Sequence, residues 1–294
     1  MATNSSPGID TLRKPADNEV DVWGLTHRGK VRETNQDHFL ITSLHKEVRI
    51  HHTSLPDPSV LAETERLAFL VMVADGVGGR LAGEEASRLA VEGIARYVTH
   101  SVNCYYTADI CDRDEYMRVL TEGALKVHAE LHQAAAEDPA HAGMATTLTL
   151  WMGVWPHAYL LQVGDSRCYI LRDGVLTQIS RDQTMAQDLV DQGILTRSDA
   201  EGSRLSHILS SAVGGSQAMP VVTHLESVWG QVGLLCSDGL TRHVSDDRIR
   251  ERLMSMTSAK QACEALLQDA LDGGGSDNIT IIIGRAVPAT PGEA

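Results

Sequence analysis

The stretch that decides the fold is LAFLVMVADG, Leu67 to Gly76, an apolar run that ends on an aspartate beside a glycine. Such an uninterrupted apolar run predicts a buried strand. Three further apolar runs carry an aspartate at one end, namely AYLLQVGDS at Asp165, VGLLCSDG at Asp238 and SDNITIIIG at Asp277. Because a buried carboxylate is costly without a partner, acids repeated at strand ends indicate a functional cluster.

A fifth acid, Asp37, precedes another strand-like run in GKVRETNQDHFLI. Several ionised carboxylates within a few ångströms repel one another unless cations lie between them, and Mg²⁺ and Mn²⁺ prefer oxygen ligands. The sequence therefore predicts divalent cations at one rim of a sheet, with Asp75 as the bridging ligand. An Asp-Gly pair alone is also typical of a hairpin turn. The similar patterns at Asp238 and Asp277 favour the metal site.

Arg32 lies five positions before Asp37. A guanidinium beside an acid-metal site is suited to holding a phosphate bidentately. A surface ion pair with Glu33 or Asp37 is the alternative interpretation. From the sequence, Arg32 is the only cation positioned in this way.

Charge and composition argue against several classes of protein. Lys and Arg number 25 against 39 Asp and Glu, a net charge of −14, so neither nucleic acid nor a membrane surface is an expected partner. The longest apolar stretches, Leu67 to Ala74 and Leu148 to Trp155, are too short to span a bilayer, and the N-terminus lacks an apolar signal core. The five cysteines include no CxxC pair. Reduced thiols are favoured over a Cys104–Cys111 disulfide, and we expect a cytoplasmic protein.

Local composition predicts flexible tails over residues 1–18 and 287–294 and one folded domain over residues 19–286. Two long helices are predicted around Ala86 and around Met117, and Ser258 with Gln261 predicts the start of a third. Strand-like alternation occurs in six segments: Asp21 to Leu25, Phe39 to Thr42, Glu47 to His52, Thr146 to Trp151, Arg167 to Arg172 and Leu176 to Ser180. Because these strands cluster in hairpins, an antiparallel α+β fold is favoured over a parallel sheet.

Two histidine pairs are poor candidates for metal sites. His51 and His52 are adjacent and would point to opposite faces of a strand. His128 and His132 lie one helical turn apart without further ligands, which favours a solvated helix face.

Six segments in one order resemble the metal-dependent protein phosphatases of type 2C, in their bacterial stand-alone branch. They are GKVRETNQD, VMVADGVGGRLAGEEAS, AGMATTLTL, LQVGDSRCYILRDG, LLCSDGL and SDNIT, between about Asp21 and Gly284. The resemblance implies a four-layer α-β-β-α sandwich, two stacked antiparallel sheets flanked by helices. It also implies two Mn²⁺ or Mg²⁺ ions held by Asp37, Asp75 with the Gly76 carbonyl, Asp238 and Asp277. A third, weaker ion is implied at Asp165, and phosphate binding at Arg32.

The implied activity is hydrolysis of phosphoserine and phosphothreonine in proteins by direct attack of a metal-activated water. This activity would oppose that of a bacterial serine/threonine kinase. We also expect the protein to be a monomer. Ser166 and Ser237 lack a nearby base and are expected to support ligands by hydrogen bonds. Some relatives have a histidine directly after the DG motif, where this chain has Val77, so the general acid stays unassigned.

Residues 182–215 correspond to the mobile flap of that family, and they are polar and punctuated by glycine. Asp182 opens this segment. Many relatives carry an arginine before the turn, where this chain reads Ser210-Ser211-Ala212-Val213-Gly214. Arg204 is the nearby candidate to replace that arginine at the substrate, although a solvent-exposed arginine is the simpler interpretation.

Two other functions are compatible with part of the pattern. A catalytically silent binding module is disfavoured because every implied ligand position is filled. A two-metal nuclease or phosphodiesterase shares the chemistry, but the acidic charge and the lack of a basic groove disfavour it.

Overall fold

The computed structural model describes residues 13–47, 49–54, 56–57, 64–78, 80–101, 113–201 and 203–288. Cys104 and Cys111 lie outside these ranges, and so do most residues of the two predicted tails.

Two antiparallel sheets are stacked face to face. The first contains, in spatial order, β1 (Val20–His27), β11 (Ile279–Ala286), β10 (Val232–Cys236), β7 (Arg167–Arg172) and β8 (Val175–Gln178). The second contains β2 (Asp37–Lys46), β3 (Glu65–Val77), β5 (Leu148–Val154), β6 (His157–Val163) and β9 (Val221–Glu226), and the short β4 (Ala145–Thr146) pairs with β3.

Helices cover the outer face of each sheet. α1 (Arg80–Ser101) and α2 (Arg113–Glu137) pack on the second sheet. α5 (Asp238–Thr241), α6 (Asp246–Met254) and α7 (Ala259–Asp272) pack on the first. α3 (Met185–Asp191) and α4 (Arg197–Glu201) lie in the segment between β8 and β9. The predicted start of α7 is confirmed, since Ser258 accepts a hydrogen bond from the backbone N–H of Gln261.

The alternation of side chains along β3 explains its uninterrupted apolar sequence. Leu70 and Met72 face α1 and α2, whereas Val71 and Val73 face the first sheet. Both faces of this strand are therefore buried. Together with the helix layers, this arrangement confirms the four-layer α-β-β-α sandwich.

Two segments differ from the sequence prediction. The strand predicted over Glu47 to His52 is wrong, because β2 ends at Lys46, opposite the first residue of β3, and the described residues beyond it have no strand partner. Residues 13–18, predicted to belong to a tail, contact the sheets instead. Arg66 on β3 donates to the Pro15 carbonyl at 2.5 Å and pairs with Asp17.

Among the described residues, no helix is long and apolar enough to cross a membrane.

Candidate metal and phosphate site

The sheet pairing brings the five predicted acids to one end of the sandwich. Asp37, at the start of β2, lies directly opposite Asp75 on β3. Asp238 follows β10 and Asp277 precedes β11, and because these two strands are antiparallel neighbours, the end of one meets the start of the other. Asp165 lies between β6 and β7. A cleft of ≈ 630 Å³ opens over this group, with Asp37 buried beneath it.

Asp37 is 3% exposed and is held by two hydroxyl groups. Its Oδ2 accepts hydrogen bonds from Ser237 Oγ at 2.8 Å and from Thr280 Oγ1 at 2.7 Å. The hydrogen bond expected of the Ser237 hydroxyl is therefore present, with Asp37 as its acceptor. Within the described part of the chain, Asp37 Oδ1 has no hydrogen-bond partner although it is buried.

Asp75 is fixed by its backbone. Its N–H donates to Thr147 Oγ1 at 2.9 Å, and its carbonyl accepts from the Thr147 N–H at 2.9 Å. The next residue, Gly76, lets α1 approach β3 closely, because a Cβ there would lie 2.1 Å from the Gly83 carbonyl oxygen. The start of α1 is thus packed directly against the strand that carries Asp75.

Burial and mutual repulsion raise the pKa values of Asp37, Asp75 and Asp165. Desolvation, followed by the charges of Asp37 and Asp238, raises the pKa of Asp75 well above its ordinary value. Desolvation raises the pKa of Asp37 to about 6, partly offset by its hydroxyl donors. Desolvation, with repulsion from Asp238, raises the pKa of Asp165 to about 8. Such a cluster is stable in its ionised form only with cations nearby.

Two arginines supply positive charge. Arg32 donates to Asp277 Oδ2 at 2.7 Å, which places it in the cleft as predicted. Arg242 also donates to Asp277 Oδ2, at 2.9 Å, and to Asp238. Arg32 is therefore not the only cation beside the acids, and the sequence prediction was wrong on this point. The spacing of Arg242 from Asp238, four residues along a helical segment, was the signal that sequence analysis missed.

The donor set fits divalent cations. Carboxylate oxygens are the ligands that Mg²⁺ and Mn²⁺ prefer, and among the described residues Asp37 Oδ1 and Asp238 Oδ1 are buried without a hydrogen-bond partner. Yet no group of three or more His, Cys, Asp or Glu side chains in the described ranges is gathered tightly enough to hold a metal as it stands. Arg242 donates to both Asp238 and Asp277, so a cation held by those carboxylates would compete with its guanidinium.

The predicted flap residues have different positions. Ser211 lies in the cleft wall, buried, with its Oγ accepting from the Met219 N–H at 2.9 Å. Asp182 is not among the residues that line the cleft, and its carboxylate pairs with Arg167 at 2.7 Å. Arg204 is exposed on a one-turn 3-10 helix and does not line the cleft either. Its neighbour His207 does, and sequence analysis did not single it out.

His128 and His132 are not on a merely solvated face. The Gly214 N–H donates to His128 Nδ1 at 3.0 Å, and His132 Nε2 donates to the Gly215 carbonyl at 3.0 Å. Gly215 lines the cleft. The pair therefore fastens one wall of the cleft to α2, which corrects the sequence interpretation.

Comparison with known proteins agrees with this fold. The crystal structure of the serine/threonine phosphatase PstP/Ppp of Mycobacterium tuberculosis superimposes with a TM-score of 0.73 and 29% identity, over 92% of this chain and 99% of that one. The PstP catalytic domain in complex with two manganese ions gives a TM-score of 0.69 and 30% identity over the same shares, 92% and 99%. This chain thus shares the two-sheet fold of a class that includes serine/threonine phosphatases.

Sequence comparison identifies the family. The profile of the family described as protein phosphatase 2C matches residues 53–272. The serine/threonine protein phosphatase PstP of M. tuberculosis is 35% identical over 77% of this chain and 42% of its own length. The serine/threonine phosphatase stp of Listeria monocytogenes is 30% identical over 73% of this chain and 83% of its own length. The chain belongs to the protein phosphatase 2C family. It spans less than half the length of PstP.

Proposed function

We propose that the protein hydrolyses phosphoserine and phosphothreonine residues of other proteins in a reaction that requires Mn²⁺ or Mg²⁺. The observation that carries this proposal is the convergence of five aspartates at one end of the sandwich, four of them lining a cleft that also contains Arg32. The PstP catalytic domain, of the same fold, is described in complex with two manganese ions.

We assign the two principal cations to Asp37, Asp75 with the Gly76 carbonyl, Asp238 and Asp277, with Asp75 between them. A third, weaker cation is assigned to Asp165 together with Asp238. When bound, such cations supply positive charge that lowers the pKa of a coordinated water and neutralises phosphate oxygens. The hydroxyl donors of Ser237 and Thr280 keep Asp37 oriented with one oxygen free.

Two further side chains act on the substrate. Arg32 is 49% exposed and points its guanidinium at the acid cluster, so it binds the phosphate of the incoming residue. His207 lines the cleft near Asp238, and we assign it the protonation of the leaving serine or threonine alkoxide. This fills the role that Val77 leaves vacant in the DG motif.

The substrates are taken to be the targets of a bacterial serine/threonine kinase, whose action the enzyme would oppose. The curated relatives carry the names of serine/threonine phosphatases, which supports the substrate class. A monomeric state and a cytoplasmic location stay predictions from sequence.

A dephosphorylation screen tests the proposal. Phosphoserine, phosphothreonine and phosphotyrosine peptides are incubated with the protein over a range of Mn²⁺ and Mg²⁺ concentrations, and released phosphate is measured. We expect hydrolysis of the first two peptides, dependent on metal and abolished by EDTA. Hydrolysis that persists in EDTA would contradict the metal assignment.

Matched variants separate the site from the rest of the surface. Asp75→Asn and Asp238→Asn should each lower turnover by at least about 10³-fold, because each removes a charged oxygen ligand. Asp173→Asn makes the same chemical change in the exposed β7–β8 turn and should retain wild-type turnover. Full activity in Asp75→Asn would overturn the site.

A further inference from the structure

At the end of the sandwich opposite the acid cluster, a second cleft of ≈ 160 Å³ lies between the two sheets. We call it the distal cleft. Its floor is formed by Val71, Leu235 and Ile282, which belong to the core layer between the sheets, and Phe69 and Trp151 form one wall. The floor residues are at most 7% exposed, whereas the two aromatic residues are half-buried, so the cleft can be reached from solvent.

The space exists because three strand positions that face it are glycine. Gly233 and Gly284 are opposite one another on β10 and β11, and each is two residues from a floor residue, so both face the second sheet. Gly153 on β5 lies opposite Phe69 in the second sheet and faces the first sheet across the cleft. A Cβ at these positions would meet its nearest atom at 3.8, 3.5 and 3.6 Å, respectively.

Gly24 shows that this space is not a general property of glycines between the sheets. It lies on β1 opposite Ile282, on the same inner face. A Cβ there would lie 2.9 Å from the Phe39 ring, so that glycine is needed for close packing. At Gly153, Gly233 and Gly284, in contrast, glycine leaves a gap. A glycine inside a strand weakens that strand, and it often marks a place where a ligand approaches the backbone closely.

The charged groups at the rim already have partners. Lys14 donates to the Arg66 carbonyl and lies 3.6 Å from Glu65. Arg66 donates to the Pro15 carbonyl at 2.5 Å and pairs with Asp17. Arg285 pairs with Asp21 at 3.0 Å. An anionic ligand would have to break one of these pairs, whereas an uncharged ligand would not. The walls are chiefly aliphatic and aromatic.

We propose that the distal cleft is a binding site for a small, uncharged apolar molecule about the size of one aromatic ring. An engineered cavity of about 150 Å³ with comparable walls binds benzene or xenon, so the volume is sufficient. The inference is independent of the catalytic proposal, because the site shares no residue with the acid cluster.

Toluene is the probe, and benzoate is the matched anion. Saturating toluene should raise Tm by about 2–4 °C and shift the NMR signals of the Val71, Leu235 and Ile282 methyl groups. Benzoate should do neither. The double variant Gly233→Ala/Gly284→Ala should lower toluene affinity at least about tenfold, because two methyl groups enter the cleft. If the double variant does not fold, Gly153→Ala adds a methyl group to the cleft from the facing sheet and should also lower toluene affinity.

Asp75→Asn should bind toluene as the wild type does while lacking phosphatase activity, so failure of one proposal is distinguishable from failure of the other. The proposal is overturned if toluene shifts none of these methyl signals, or if the glycine variants that fold bind it unchanged. If benzoate bound as tightly as toluene, the proposal that the ligand is uncharged would be wrong.

Discussion

Arg242 Nη1 donates to Asp277 Oδ2 at 2.9 Å, and the same oxygen accepts from Arg32 at 2.7 Å. Arg242 also donates to Asp238, so a single guanidinium spans two of the acids assigned to metal binding. The acid cluster therefore contains its own counter-charge. A divalent cation must compete with Arg242 for these oxygens.

Removing the Arg242 charge should strengthen metal binding. For Arg242→Gln we expect the Kd for Mn²⁺ to fall by about tenfold, because a unit positive charge a few ångströms from the cation is lost. Titration calorimetry of the metal-free protein measures this without relying on activity. Arg242→Lys keeps the charge and should remain within about threefold of the wild type. Weaker Mn²⁺ binding in Arg242→Gln would show that the guanidinium supports the ligands instead of competing.

The role assigned to His207 predicts a dependence on the leaving group. A threonine alkoxide needs a proton in order to leave, whereas p-nitrophenolate does not. We expect His207→Gln to lower kcat on a phosphothreonine peptide by about 10²-fold and to change kcat on p-nitrophenyl phosphate by less than about threefold.

His100→Gln, an exposed histidine in the last turn of α1, is the matched control and should leave both rates unchanged. Equal losses on both substrates in His207→Gln would assign that residue to positioning.

The His128 contact predicts that acid loosens the cleft wall. His128 accepts from the Gly214 N–H only while Nδ1 is unprotonated, and burial, followed by the neighbouring His132, lowers its pKa below 6.5. The unfolded chain then binds a proton more readily than the folded one. This contribution to stability is full above about pH 6.5 and decreases as the pH falls below it.

Hydrogen exchange measures the effect directly. Relative to its intrinsic rate, the Gly214 amide should become less protected between pH 7 and pH 5 in the wild type. In His128→Gln the side-chain oxygen can still accept the bond but does not titrate, so protection should vary less with pH. An identical pH profile in wild type and variant would contradict the assignment.

Asp269 predicts a pH-dependent stability elsewhere. It accepts hydrogen bonds from Arg252 at 2.7 Å and from Arg248 at 2.9 Å, joining α7 to α6. The hydrogen bonds from the two arginines, chiefly the one from Arg252, lower the pKa of Asp269 from 3.8 to about 2. The stabilisation is therefore present above pH 3.8 and is lost as the pH falls towards 2.

We expect Asp269→Asn to reduce the free energy of unfolding by about 2 kcal/mol at pH 7. The difference from the wild type should shrink below pH 4, as measured by urea titration. Asp272→Asn, one turn further along α7, is the control and should cost less than about 0.5 kcal/mol, because that side chain is more exposed. A constant difference across pH would rule out the ion pairs as its source.

Much of the acid cluster could be predicted from the sequence because its members stand at the ends of long apolar runs. A charged residue next to a buried strand is a local signal, and it identified Asp75, Asp165, Asp238 and Asp277 without knowledge of strand order. The two long helices could also be predicted, since α1 and α2 carry apolar residues at helical spacing. The strand prediction for Glu47 to His52 was wrong because alternating polarity alone does not show that a partner strand is present.

Only the tertiary structure decided which distant groups meet. The contacts of Arg242, His128 and His207 with the site depend on how α5, α2 and the segment before β9 are placed around it. The distal cleft depends on Gly233, Gly284 and Gly153 coming from two different sheets, which no local pattern records. The sequence by itself determined most of the strands, the long helices and the acids at the rim, because these follow from local periodicity and from the cost of burying charge. The tertiary structure decided the partners of those acids, because a hydrogen bond or a gap between sheets is set by residues far apart in the chain.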